Sequence, residues 1–481
     1  MKLLTFLLVQ ILIASAAFAN ETSRPNIILV MSDDQGWGQT GYYNHPVLKT
    51  PNLDLMAENG LRFDRFYAGA PNCSPSRATV LTGRTNNRSN VLDHGYGMRL
   101  QERTIAQAMK KAGYATAHFG KWHLSGYRGL GVPILENDTH SPGRFGFDAW
   151  LSVTNFYDMD PLLGRKGRFE QFQGDSSEVV VHEALKFIEL NEKNKDSKPF
   201  FVVVWFGSPH SPWKSTEADR KAFADLNEDS RHHHAELVAM DRSIGTLRAG
   251  LKRLGISGDT LVWFNSDNGG LSGPRIKPDT VGGLRGNKNS VWEGGLRVPA
   301  IIEWPGNIKP RITKYPAATM DIAPTLVDLL DLRNDSLLDL IDGESIVPLF
   351  KKELGKRKKY IPFRHRERSA LIDNNYKIIQ LDVKTDKYEL YDLASDPAES
   401  KDIYKDKPEI AARLTEALDE FNASLVKSAT GADYPAGKLT VADKGWVDWE
   451  TAPEYQPYLE QLKPFIRAAV LEAKGATTTT P

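Results

Sequence analysis

The chain has 481 residues, too long for one small domain and ample for a large core with an appendage. Lysines plus arginines number 61 and aspartates plus glutamates 61, so the formal net charge is zero. That balance excludes nucleic acid or another polyanion gripped by a broad basic surface. Anion recognition has to come from a few cations placed in a pocket.

Residues 1–19 read as a secretory signal peptide. Lys2 gives a positive start, Leu3 to Ala16 is mostly apolar, and Ala17-Phe18-Ala19 is a small-x-small cleavage site. The apolar run is short for a bilayer, no cysteine follows it, and no later stretch is apolar enough to cross a membrane. The expectation is an exported protein, periplasmic or secreted, without a membrane span. Export makes the single cysteine, Cys73, informative: no internal disulfide is possible, and the thiol is either inert and buried or kept for its chemistry.

Ile27 to Met31 is a continuous apolar run, as expected of a strand buried on both faces. Comparable runs recur at Tyr114 to Phe119, Phe200 to Phe206 and Thr260 to Phe264, with helical patterns between them at Thr104 to Ala112 and Glu178 to Leu190. This alternation predicts an α/β fold, a mostly parallel sheet sandwiched by helices. Each run is followed by ionic or metal-ligand side chains: Asp33 and Asp34, then Lys121 and His123, then His210, then Asp267 and Asn268. Ligands of open α/β sheets bind beyond the carboxyl ends of strands, so four such endings predict one convergent site. His232, His233 and His234 fall in a predicted helix running toward Asp241. A tandem triplet points around a helix, so it reads as a solvated face, with His234 the candidate substrate contact.

The basic run Lys351 to Lys359, with Gly355, reads as a solvated linker. Beyond it lie short strand-like segments at Ala370 to Ile372, Tyr376 to Gln380 and Tyr388 to Tyr391. A helix is predicted after Pro408, with Ile410, Leu414, Leu418, Phe421 and Leu425 on one face. The expected divisions are 1–19 signal peptide, 20–355 catalytic domain, and 356–481 a small antiparallel sheet plus helix with an irregular aromatic tail.

Cys73-Ser74-Pro75-Ser76-Arg77 precedes Leu81-Thr82-Gly83-Arg84. Pro75 suits the first turn of a helix, which puts Cys73 at a helix N-terminus where free N–H groups favour an anion, with Arg77 one turn on. A thiolate nucleophile would fit there. The segment also resembles the defining motif of the type I sulfatases of the alkaline phosphatase superfamily. Asp33-Asp34-Gln35-Gly36, Gly120-Lys121-Trp122-His123-Leu124, Ser266-Asp267-Asn268-Gly269 and Leu284-Arg285-Gly286-Asn287-Lys288 are similar to further motifs of that family. So are Asp321-Ile322-Ala323-Pro324-Thr325, Asp342-Gly343 and Leu390-Tyr391-Asp392-Leu393. Their occurrence in order is far more specific than any one of them.

The resemblance implies that a maturation enzyme converts Cys73 to Cα-formylglycine, whose hydrate attacks sulfur and later expels sulfate. It implies that Asp33, Asp34, Asp267 and Asn268, with residue 73, hold a cation. Their hard oxygen donors suit Ca²⁺ or Mg²⁺. Arg77 would orient the nucleophile, and Lys121 and Lys288 would bind sulfuryl oxygens. His123 would serve as base and His210 as acid. The expected reaction is hydrolysis of a sulfate ester, on a sulfated carbohydrate in exo fashion. Three alternatives stand beside it: an arylsulfatase on small molecules, a phosphodiester or phosphonate monoester hydrolase of the same superfamily, and a sulfated-glycan-binding protein that does no chemistry.

Overall fold

The computed structural model describes residues 24–463 except Ser272, Pro274, Asp279 and Asn334. The expected signal peptide and the terminal threonine run lie outside the described residues. Among those described, an eleven-stranded sheet has the order β11-β2-β10-β9-β1-β8-β3-β5-β6-β7, with β12 also paired to β2. Its centre is parallel: β1 (Asn26–Ser32) lies between β8 (Phe200–Trp205) and β9 (Thr260–Ser266), and β3 (Ala115–Lys121) joins β8 to β5 (Ala149–Val153). The flanks turn antiparallel. There β10 (Arg297–Glu303) pairs with β9 and with β2 (Leu61–Tyr67), and β6 (Leu162–Arg165) with β5 and with β7 (Arg168–Gln171). The short strands β11 (Arg311–Thr313) and β12 (Ala317–Ala318) run parallel to β2.

Burial on both faces explains the unbroken apolar run of β1. Ile27, Leu29 and Met31 join the core on one face, with side chains of α2 (Cys73–Thr82), α3 (Ile105–Lys111) and α6 (Ile322–Leu329). Ile28 and Val30 join the core on the other, under α1 (Pro51–Asn59), α4 (Ser176–Glu192) and α5 (Glu228–Arg253). This is the doubly covered sheet predicted from the sequence.

The second body is a four-stranded antiparallel sheet of β13 (Ile361–His365), β14 (Arg368–Asp373), β15 (Tyr376–Asp382) and β16 (Lys387–Asp392). Helix α7 (Pro408–Ala429) covers it through Ala411, Leu414, Leu418 and Phe421. The sequence reading missed β13, whose Pro362 and Arg364 interrupt the apolar pattern. It also misread the basic run. Arg357 is buried, with its fork on both carboxylate oxygens of Asp321 at 2.6 and 2.7 Å. A guanidinium can be buried there because Asp321, whose oxygens also cap the Ala318 and Glu344 amides, matches its geometry.

The small sheet anchors part of the site. Lys377 of β15 reaches Glu293 at 3.1 Å and Glu399 at 2.9 Å, all three buried. Glu293 opens the helical turn Glu293–Leu296 that follows the Lys288 loop, and its amide donates to Glu399 at 2.6 Å. Burial pushes the Glu399 carboxyl up to about 7 despite Lys377. Lys377→Met strands two carboxylates without their cation and is expected to cost about 3–5 kcal/mol. Urea unfolding measures this, and an unchanged midpoint would remove the anchor from the account.

Candidate active site

Helix α2 begins at Cys73 after extended Asn72 (φ −154°), and no side chain caps it. Asn72 donates instead to Asp93 at 2.7 Å. The first-turn N–H groups therefore stay available to a negative charge at residue 73. All ten residues of α2 are buried, and Gly83 ends the helix in the left-handed region (φ 71°). Downstream residues hold this helix and the segment after it in place: Thr319 bonds Thr79, and Asp342 of the Asp342-Gly343 motif accepts from the Thr85 amide and from Arg88.

The strand ends deliver the remaining groups. Asp33 and Asp34 follow β1, and the amide of Asp34 donates to Asp267 Oδ1 at 3.1 Å, which ties the β1 end to the β9 end. Asp34 and His123 both hold positive φ, 64° and 56°. Such strain in non-glycine residues persists only where the surroundings impose it. Gly120 sits between them in the chain order of the site at φ 100°, where a Cβ would lie 1.9 Å from the Trp205 carbonyl oxygen.

Three buried carboxylates meet three cations. Lys121 Nζ lies 2.6 Å from Asp33, Arg77 Nη2 2.7 Å from Asp267 and 3.6 Å from Asp33, and Lys288 Nζ 2.8 Å from Asp34. Arg77 also donates to the Lys121 carbonyl at 3.0 Å and lies over the Trp205 ring, 5.1 Å from its centroid. Burial raises the Asp33 carboxyl, but Lys121, His210 and Arg77 outweigh it and hold Asp33 well below the usual carboxylate range. Burial and the neighbouring Asp33 push Asp267 up to about 7. Burial likewise pushes the Cys73 thiol up.

Donor atoms of Asp33, Cys73 and Asp267 lie within 4.8 Å of one another, as do those of Asp33, Asp34 and His210. Asp33 Oδ1 and Asn268 Oδ1 are buried and accept no hydrogen bond from a described residue. Orphaned buried oxygens are rare, and these stand beside two further carboxylates. An all-oxygen donor set of this kind fits a hard divalent cation.

The two histidines differ. His123 is buried, with neither ring nitrogen bonded to a described residue, and burial with Lys121 and Arg77 holds it neutral. His210 stacks on Phe156 at 4.9 Å, and its Nδ1 sits 2.5 Å from the Ser211 carbonyl, which can only accept, so the proton is on Nδ1. Its Nε2 lies 3.7 Å from Asp34 Oδ2. Burial and Lys288 push His210 down to about 4. A cavity of about 460 Å³ is lined by Asn72, Cys73, His94, His123, His210 and Lys288. The residues predicted from the strand ends and from the Cys73 and Lys288 motifs thus fall in one cluster, whereas His234 does not.

The histidine triplet is a correction. His233 and His234 are buried rather than solvated, and neither lines the cavity. Helix α5 packs that face inward, with His234 against His45 at 5.2 Å. His233 Nε2 is 2.6 Å from Gln39 Nε2, and Gln39 Oε1 accepts from the Gly36 amide. Edge-on to His233 stands Trp213, whose indole N–H donates to the Pro209 carbonyl at 2.9 Å. His233 therefore touches supports of both the Asp33–Asp34 loop and the His210 loop. No local signal marks it, because its partner lies 194 positions away. His233→Ala leaves Gln39 without an acceptor and is expected to lower stability by about 1–3 kcal/mol. His233→Gln, which keeps an acceptor, restores part of it in the same chemical denaturation assay. Equal melts for all three proteins would dismiss the contact.

Fold and site together define an α/β protein with an alkaline-phosphatase-like sheet and a cluster of buried charges at its strand ends. A family model described as Sulfatase matches residues 25–332, and one described as N-sulphoglucosamine sulphohydrolase, C-terminal, matches 286–424. N-acetylgalactosamine-6-sulfatase of Canis lupus familiaris is 32% identical over 381 residues, covering 71% of this chain and 69% of the relative. Arylsulfatase A of Homo sapiens is 30% identical over 365 residues, covering 71% and 70%. The crystal structure of Ps i-CgsB in complex with k-i-k-neocarrahexaose has the same fold, with a TM-score of 0.74 at 22% identity, covering 95% of this chain and 100% of that one. The chain belongs to the sulfatase family and is a sulfuric ester hydrolase. No described helix is long and apolar enough to cross a membrane.

Proposed function

We propose that the protein, exported from the cell, removes sulfate from a sulfated saccharide, with Cys73 in its Cα-formylglycine form as the nucleophile. The observation that carries this reading is the meeting of residue 73 with three carboxylates and three cations beside one cavity. The saccharide is supported by the relative named for N-acetylgalactosamine and by the fold neighbour that holds an oligosaccharide. Residues 20–355 would form the catalytic domain and 356–481 the subdomain that braces the Lys288 loop.

Asp33, Asp34, Asp267 and Asn268 would hold the cation with residue 73, Ca²⁺ first and Mg²⁺ as the alternative. When bound, that cation offsets charge on the sulfuryl oxygens and the nucleophile. Formylglycine supplies, as its hydrate, one hydroxyl to attack sulfur and a second that drives sulfate out as the aldehyde re-forms. Arg77, fixed between Asp267 and Trp205, orients residue 73. Lys121 and Lys288 bind sulfuryl oxygens as point charges. His123, neutral and without a described partner, takes the proton of the second hydroxyl. His210 gives a proton to the departing sugar oxygen. It is neutral at rest, and the arriving anion favours its protonation.

Mass spectrometry of the peptide spanning residue 73, together with turnover on sulfated saccharides, an aryl sulfate and an aryl phosphodiester, tests the proposal. The expected outcome is aldehyde at position 73 and sulfate release fastest from a saccharide. Turnover by protein holding only the free thiol overturns the nucleophile, and a faster diester overturns the substrate class. The acid is tested separately. His210→Ala should lower kcat on a sugar sulfate by about 10²–10⁴-fold. On nitrophenyl sulfate, whose leaving group needs no proton, the loss should stay under about tenfold. Equal losses on both would end the acid role.

A further inference from the structure

The chain after α7 returns to the site. Its strand β17 (Val447–Asp448) pairs with β4 (Tyr127–Arg128), Val447 opposite Tyr127 and Asp448 opposite Arg128. Trp449 and Tyr455 pack into a small core with Tyr127, Val132 and Leu135. The next residues after β4, Gly129 and Leu130, line the cavity beside Cys73, as does His94. A Cβ on Gly129 would come within 3.0 Å of the Trp449 ring, so the returning segment backs this wall.

Arg128 stands at that edge. Its guanidinium lies 3.6 Å from the Trp446 ring centroid, and its Nε donates to the His94 carbonyl at 2.8 Å. Its two terminal nitrogens bond no acceptor among the described residues. Trp446 is 41% exposed, high for an indole, and among the described residues its ring contact is with this arginine. Nearby, Arg366, on the turn between β13 and β14, reaches Asp93 at 3.1 Å with its side chain 58% exposed. Asp93 in turn holds Asn72 at 2.7 Å and the His94 amide at 2.8 Å, both cavity-lining residues. One carboxylate thus serves both the cavity wall and Arg366, while the two terminal nitrogens of Arg128, within the field of Asp93 and Asp448, hold no acceptor among the described residues.

We propose that Arg128, flattened on Trp446, and Arg366 form a second anion subsite at the cavity mouth. The inference rests on the saccharide sulfatase reading and deepens it. The ligand is a second anionic group, sulfate or carboxylate, on the sugar next to the one that loses its sulfate. A planar guanidinium stacked on an indole is already ordered, and its fork matches either anion with two hydrogen bonds. The nucleophile and cations at residue 73 act on the first sulfate, and Arg128 grips the second from a neighbouring element, so a protein of zero net charge can favour a polyanion.

The test uses three disaccharides carrying the same scissile sulfate: one with a neutral neighbouring sugar, one with a sulfate there, and one with a uronate. Wild-type protein should favour one or both doubly anionic substrates by about tenfold or more in kcat/KM, through KM. Which of the two is favoured identifies the second anion as sulfate or carboxylate. Arg128→Gln should erase the preference, and Trp446→Ala should weaken it. Cleavage of all three at equal efficiency by the wild type sinks the subsite and leaves the sulfatase reading standing. So does an equal loss on all three in Arg128→Gln, since that marks a structural role. Should no sulfate ester be cleaved at all, the sulfatase reading fails. Calorimetry then decides the subsite: binding of the doubly anionic disaccharides must weaken about tenfold in Arg128→Gln, and equal binding overturns it.

Discussion

The structure depends on three ion pairs, two of them out of reach of water and the third, Asp34 with Lys288, at the cavity wall. Asp33, Asp34 and Asp267 are fully buried, and each has one cation within 2.8 Å: Lys121, Lys288 and Arg77 in turn. Moving a carboxylate into such surroundings costs several kcal/mol, which only close opposite charge and hydrogen bonds offset. The six groups come from the ends of β1, β3 and β9, from α2 and from the Lys288 loop. No fold in which those ends diverged could bury them. The parallel register that sets β1 between β8 and β9 is therefore tied to this cluster, because it brings Asp34 within a hydrogen bond of Asp267.

Much else in the molecule holds these pairs still. Trp205 closes over Arg77, and Gly120 leaves room for the Trp205 carbonyl. Gly269 does the same on the other side, where a Cβ would lie 1.9 Å from the Gly294 carbonyl oxygen. Lys377 fastens the turn after Lys288 to the small sheet, and Arg357 fastens Asp321 behind α2. These are buried charges too. They form a chain of compensated pairs running from the small sheet toward the cavity. Each is stable only because the next element supplies the opposite sign.

How much of this the sequence disclosed follows from the range of the interactions. The strands of the central sheet were legible because burial on both faces writes an unbroken apolar run, as at Ile27 to Met31. The cluster was legible because its members sit within a few residues of those runs and within specific motifs. Strand β13 was not, since it owes its pairing to β14 and has no clean alternation of its own. Arg357 looked like part of a solvated run because charge density says nothing about a carboxylate 36 positions away. His233 was misplaced for the same reason. The rule that a tandem triplet points around the helix is correct, but it does not say which sides of α5 are covered, and Trp213 and Gln39 cover the side that His233 occupies. Residues that answer to distant partners carry no local signature.

The same charges bear on which anion the site accepts. With Asp267 ionised, as a cation bound beside it would keep it, three carboxylates against three cations sum to zero, and burial keeps both His123 and His210 uncharged at neutral pH. A divalent cation held by the carboxylates would bring the formal sum to +2. A sulfate monoester carries one negative charge and an ionised nucleophile a second, which together restore neutrality. A phosphate monoester near pH 7 carries close to two, and with the same nucleophile would leave a net negative charge in a site shielded from solvent, where imbalance is costly. The arithmetic therefore favours monoanionic esters. It does not separate a sulfate monoester from a phosphodiester, which carries the same charge, so that choice has to come from the shape of the leaving group and its neighbours. The wall formed where the C-terminal segment meets β4 lies beside the same cavity, far in sequence from the ion pairs.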